Sequence, residues 1–92
     1  MNSVGAKILI DGFVQGVGYR YFCYDRARNL GLTGWVKNNP DCTVSAKLEG
    51  DRSLIEALIE ELKVGPRSAV VRDIKIEWVE FKGEFTEFKV TY

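Results

Sequence analysis

The residues with the most chemical content in this 92-residue chain lie between Val14 and Arg20, in the run Val14-Gln15-Gly16-Val17-Gly18-Tyr19-Arg20. A glycine-containing turn that leaves a strand and enters a helix lets consecutive backbone N–H groups converge, and the helix N-terminus adds partial positive charge. Arg20 closes the turn with a guanidinium that offers paired donors and keeps its charge at any working pH. The chemistry indicated is the binding of a phosphate-like anion; the alternative is an ordinary strand-to-helix turn with a surface arginine. Three familiar phosphate sites do not fit. No glycine is followed by Lys and then Ser or Thr in the Walker A register, and the dinucleotide fingerprint starts at Gly16-Val17-Gly18 but has Tyr21 at its third glycine. A C-x-x-x-x-x-R phosphatase is excluded because Asn29 follows Cys23 at the required spacing and Leu48 follows Cys42. The chain has no histidine, which removes Ser-His-Asp triads, phosphohistidine intermediates and His-built zinc sites.

These residues must be held by a small number of elements. Ala6, Ile8 and Ile10 alternate on a first strand over roughly 6–13, and the period then changes. Cys23, Ala27 and Leu30 form a helical apolar stripe beginning near Arg20, with Gly31 where a helix C-terminal glycine belongs. Residues 33–38 and 43–49 read as two strands, with Val44, Ala46 and Leu48 inward and Ser45, Lys47 and Glu49 outward. Between them, Pro40 and Asp41 suit the centre of a type I turn whose hairpin form needs the next residue at positive φ, and that residue is Cys42. Gly50-Asp51 opens a second helix that Asp51 can cap, with Ile55, Leu58, Ile59 and Leu62 as its buried stripe and Gly65-Pro66 as its end. Ile74, Ile76 and Trp78 alternate in a fourth strand, and Phe88, Val90 and Tyr92 in a fifth that runs to the C-terminus. The expected fold is α+β: a ferredoxin-like α/β sandwich in the order βαββαβ with an extra C-terminal strand. Its two helices pack on one face of a mainly antiparallel sheet of four to five strands, and residues 1–92 form one domain.

Charge and cysteine usage set further bounds. Thirteen basic and thirteen acidic side chains balance, which argues against a dedicated nucleic-acid binder. The balance is uneven along the chain: residues 1–48 hold six basic against three acidic side chains and residues 49–92 hold seven against ten, so an anionic ligand meets the first half. Cys23 and Cys42 lack metal-site spacing and fit a reducing cytosol. The longest apolar run, Tyr21-Phe22-Cys23-Tyr24, is too short for a membrane span.

The run Ile10-Asp11-Gly12-Phe13-Val14-Gln15-Gly16-Val17-Gly18-Tyr19-Arg20 resembles the first signature of the acylphosphatases, and Gly34-Trp35-Val36-Lys37-Asn38 with Val44 and Gly50 resembles the second. The resemblance extends over essentially the whole chain, including Gly65-Pro66 and the aromatic C-terminus. It implies a small free-standing enzyme that hydrolyses the carboxyl-phosphate bond of acyl phosphates to a carboxylate and inorganic phosphate without metal or cofactor. By the same resemblance Arg20 binds phosphate, the backbone amides of Gln15, Gly16, Val17, Gly18 and Tyr19 form its cradle, and Asn38 orients the attacking water. One position departs, since Cys42 stands where the family's second signature normally has glycine. The expected setting is a cytoplasmic monomer whose partner is the small-molecule substrate, with no nucleic acid or membrane.

Plainer readings stand beside these. Asn38 can simply end a strand or begin a turn. Cys23 belongs to the core, Glu56, Glu60 and Glu61 to a solvated helix face, and Trp35 and Trp78 to packing; Cys42 at a hairpin tip is an exposed thiol. The rival function is a binding module on the same fold. An RNA-recognition domain needs sheet-face aromatics that Lys82-Gly83-Glu84-Phe85 does not supply, because Glu84 occupies an aromatic position. An acylphosphatase-like domain that binds anions without turnover is the closer rival, and retention of both Arg20 and Asn38 favours the enzyme.

Overall fold

The computed structural model describes residues 2–92. Its elements are β1 (Ser3–Phe13), α1 (Tyr19–Asn29), β2 (Thr33–Asn38), β3 (Val44–Asp51), α2 (Arg52–Val64), β4 (Val70–Val79) and β5 (Phe88–Thr91). The five strands form one sheet in the order β4-β1-β3-β2-β5. β1 runs antiparallel to both β3 and β4, β2 antiparallel to β3, and β2 pairs in parallel with β5. The α+β sandwich expected from the order of apolar patterns is thus present, with five strands and one parallel pair.

Strand alternation decides which face the helices cover. Ala6, Ile8 and Ile10 of β1, Val36 of β2 and Val44, Ala46 and Leu48 of β3 are buried against Cys23 and Ala27 of α1 and Ile55, Leu58, Ile59 and Leu62 of α2. Each fully buried Leu or Ile contributes roughly 1.5–3 kcal/mol over an exposed one, so truncating Leu58 at the centre of this layer is expected to cost about 2–5 kcal/mol.

Helix ends follow the expected chemistry with small shifts. Asp51 caps α2, accepting from the Ser53 backbone N–H at 2.9 Å, but Gly50 is still in β3, paired with Val4, so the helix opens at Arg52. α1 ends at Asn29, leaving Leu30 as its C-cap rather than part of the helical stripe. Gly31, at φ 71°, donates to the Arg28 carbonyl while Leu32 donates to that of Ala27, a Schellman closure.

Other boundaries differ because pairing extends beyond burial. β1 begins at Ser3 rather than near residue 6, since Ser3, Val4 and Gly5 continue the ladder opposite Asp51, Gly50 and Glu49. β5 stops at Thr91, and Tyr92, expected inside that strand, is 87% exposed. Glu49 points away from the helices as expected yet is only 2% exposed. The chain between β4 and β5 must cross the sheet from one edge to the other, and it passes over Glu49. The buried carboxylate accepts the backbone N–H groups of Lys82 at 2.8 Å and Glu84 at 2.9 Å.

Candidate active site

Strand direction brings three chain segments to one end of the sheet. β1, β2 and β5 all point the same way, so Phe13, Asn38 and Thr91 finish at the same end of the sheet, and Lys37 lies directly beside Thr91. The loop that leaves β1 turns there into α1. Gly16 and Gly18 hold φ of 75° and 80°, a left-handed conformation that costs an ordinary side chain about 1–2 kcal/mol. A Cβ at either would meet no atom within 4 Å, so the backbone angle and not crowding accounts for glycine there.

This turn leaves N–H groups unpaired. The first backbone bond into α1 runs from Phe22 to the Gly18 carbonyl, and Gly18 caps the helix without a side-chain acceptor. Among the described residues, no protein acceptor takes the amides from Gln15 to Tyr21. Such a series at an uncapped helix N-terminus, with no acidic residue in the first turn, is complementary to an anion.

Arg20 lies in that first turn. Its Nη1 donates to the Thr91 carbonyl at 3.3 Å, and its guanidinium carbon sits 4.6 Å from the centre of the Tyr92 ring. Tyr92 also meets Tyr21, hydroxyl to hydroxyl at 3.3 Å. Opposing carboxylates are not in contact with Arg20 among the described residues, so its charge is uncompensated by an ion pair. Asn38, at the end of β2, has a buried Oδ1 with no hydrogen-bond partner among the described residues. A shallow depression of about 190 Å³ gathers Gly16, Gly18, Tyr19, Arg20, Tyr21 and Asn38 around Val14.

The structure therefore brings together both expected side chains and three of the five expected loop residues. Gln15 and Val17 do not line the depression: Val17 packs against the core, and the Gln15 side chain reaches the β2–β3 hairpin. The Thr91 and Tyr92 contacts to Arg20 had no local signal, because both partners lie at the far end of the chain, Thr91 71 residues from Arg20.

The hairpin beside Asn38 is tightly bonded. Cys42 N–H donates to the Asn39 carbonyl and Asn39 N–H to that of Thr43, which closes the type I turn with Cys42 at φ 74° as its spacing required. Asp41 accepts from the Thr43 hydroxyl and backbone N–H, and these bonds lower its pKa. Neighbouring tyrosine and thiol groups move further from neutrality. Burial raises the Tyr19 phenol, whose hydroxyl donates to the Leu62 carbonyl at 2.6 Å; burial pushes the Cys23 thiol up to about 12; the Tyr92 contact raises Tyr21.

A larger concavity, about 400 Å³, lies on the open sheet face among Lys7, Leu9, Trp35, Lys47 and Lys75. Unlike the smaller depression, it is lined by neither the unpaired loop amides nor the Asn38 oxygen.

An acylphosphatase family model matches residues 6–90. The chain is 39% identical over 92 residues to a protein named acylphosphatase from Pelotomaculum thermopropionicum, with all of both chains covered. It is 45% identical over 89 residues to one from Acaryochloris marina, covering 97% of this chain and 95% of that one. A crystal structure of acylphosphatase from Bacillus subtilis superposes with a TM-score of 0.94 at 34% identity, covering 97% of this chain and 99% of its own.

Proposed function

The chain belongs to the acylphosphatase family, enzymes that hydrolyse acyl phosphates, and from that premise we propose how its own residues carry the reaction and where. Arg20 and the unpaired amides from Gln15 to Tyr19 hold the phosphoryl group, and Asn38 Oδ1 accepts a hydrogen bond from the attacking water. The water oxygen forms a bond to phosphorus as the bond from phosphorus to the bridging oxygen breaks, and the electron pair of that bond leaves with the carboxylate. An amide cannot accept the water's proton, so it passes to a phosphoryl oxygen, giving inorganic phosphate with no covalent enzyme intermediate.

Elementary chemistry explains why these groups suffice. A carboxylate departs readily without protonation, and phosphoryl transfer asks mainly for positioning and charge stabilisation around a loose transition state. The guanidinium and amides supply the charge, so the scheme requires no metal or cofactor.

The observation that carries the reading is the buried, unpartnered Asn38 oxygen in the same depression as Arg20 and the free amides. An unsatisfied buried acceptor costs roughly 1–3 kcal/mol, and a water bound there offsets that cost while being aimed at the phosphoryl group. The loop, the arginine and Asn38 converge within one sheet-and-helix layer with a single core, which supports a single domain over residues 1–92; we read it as acting as a monomer. Two unpaired thiols, Cys23 and Cys42, accord with a cytoplasmic setting.

The test is hydrolysis of benzoyl phosphate beside p-nitrophenyl phosphate. Rapid turnover of the first alone is expected, since benzoate is a far weaker base than p-nitrophenolate and the better leaving group; inactivity toward both would overturn the reading in favour of a binding module.

A further inference from the structure

Sequence resemblance gives Gln15 only a backbone amide in the cradle, yet among the described residues its side chain makes the side-chain hydrogen bonds that join the phosphate loop to the β2–β3 hairpin. Gln15 Nε2 donates to the Asn39 carbonyl at 2.8 Å and to the Thr43 carbonyl at 2.8 Å. Two carbonyl acceptors leave no choice of amide orientation, because only the NH₂ end can donate. Both of its hydrogens are then used.

The acceptors are the neck of the hairpin. The Asn39 carbonyl also accepts from Cys42 N–H and the Thr43 carbonyl from Asn39 N–H, so each engages two donors, and Gln15 supplies the second of each pair. Asn39 immediately follows Asn38, whose oxygen shares the depression with Arg20. Arg20 is fixed to α1 and Asn38 to β2. Their relative placement therefore depends on what joins the loop to the hairpin, and a shift of about 1 Å in a reacting group can cost on the order of 100-fold in rate.

We propose that the Gln15 side chain is a positioning residue that holds Asn38 in register with the phosphate loop. The proposal rests on the water-orienting role of Asn38. It accounts for a long amide at a loop position whose side chain does not line the depression: shorter Asn cannot span the gap, and Glu would set a carboxylate against two carbonyl oxygens.

Steady-state kinetics with benzoyl phosphate test it. Gln15→Met keeps the side-chain length and removes both donors; kcat is expected to fall about tenfold or more. The inhibition constant for inorganic phosphate should stay within about threefold, because Arg20 and the backbone amides are unchanged. Gln15→Glu should behave similarly. In an Asn38→Ala background, Gln15→Met should bring no further loss of kcat. Wild-type kcat in Gln15→Met, losses that multiply in the double variant, or parallel loss of phosphate affinity would each overturn the proposal. Wild-type kcat in Asn38→Ala instead removes the reading beneath it, which keeps the two failures distinct. If either Gln15 variant unfolds, hydrogen exchange in the wild-type enzyme still decides: the Gln15 side-chain NH₂ should exchange several-fold more slowly than a solvent-exposed primary amide, and exchange at the exposed rate overturns the clamp.

Discussion

Asn38 and Cys42 show how much a single residue can reveal before and after its neighbours are known. From spacing alone, Asn38 is as compatible with a strand end as with a catalytic amide. Its buried and unpartnered oxygen separates the two, since a strand-ending Asn would satisfy itself locally or in water. Cys42 was legible in the other direction, because the Asn39-Pro40-Asp41 spacing called for a residue at positive φ and the structure gives 74°. A side chain held there pays about 1 kcal/mol of strain that glycine avoids. Cys42→Gly should therefore raise the unfolding free energy by up to about 1 kcal/mol, part of the relief being offset by the greater freedom of glycine in the unfolded chain. Urea unfolding of the two proteins checks this, and a lower midpoint for Cys42→Gly would contradict it. The burial of Glu49 was not legible, because alternation reports which face a residue takes and not what a distant segment lays over it.

At the scale of elements, apolar period located each strand and helix, and turn chemistry located the Asp51 cap and the Gly31 closure. Where burial and pairing part company the period was silent, as at Ser3 and Val4, which lengthen β1 through ladder bonds although Ser3 is exposed and Val4 only partly buried. The parallel docking of β5 on β2 was equally hidden, although it places Thr91 and Tyr92 against Arg20, because nothing local to residues 88–91 encodes a partner more than fifty residues away. Two carboxylates contribute to the acid response of these elements. Hydrogen bonds from Thr43 lower the pKa of Asp41, and hydrogen bonds from Ser53 lower that of Asp51. Each holds fewer protons folded than unfolded, so its stabilisation is complete above the unfolded value near 4 and is lost as pH falls through the lower folded value. Urea midpoints should accordingly be level from about pH 7 to 5 and drop below about pH 4; a midpoint that rose on acidification would contradict the roles given to Asp41 and Asp51.

The whole molecule divides the work between elements that meet at one end of the sheet. The loop and α1 bring the anion site, β2 brings the orphan oxygen, β5 backs the arginine, and the basic excess of residues 1–48 lies in the half that supplies both candidate side chains. None of the tyrosine or thiol groups shifted near the site moves toward neutrality: burial raises Tyr19 and Cys23, and the Tyr92 contact raises Tyr21. With no histidine in the chain, kcat should stay flat from pH 5 to 8 once substrate ionisation is accounted for, and a steep limb near pH 6.5 in the kcat profile would mean that another group takes the proton. The division of labour itself is tested most directly by measuring kcat for benzoyl phosphate and the inhibition constant of inorganic phosphate in Arg20→Ala and Asn38→Ala side by side. Arg20→Ala should lose turnover by at least about 1,000-fold together with phosphate affinity. Asn38→Ala should lose kcat by about 100-fold while phosphate affinity stays within about threefold. Unchanged kcat in Asn38→Ala, or phosphate affinity retained in Arg20→Ala, would contradict the account.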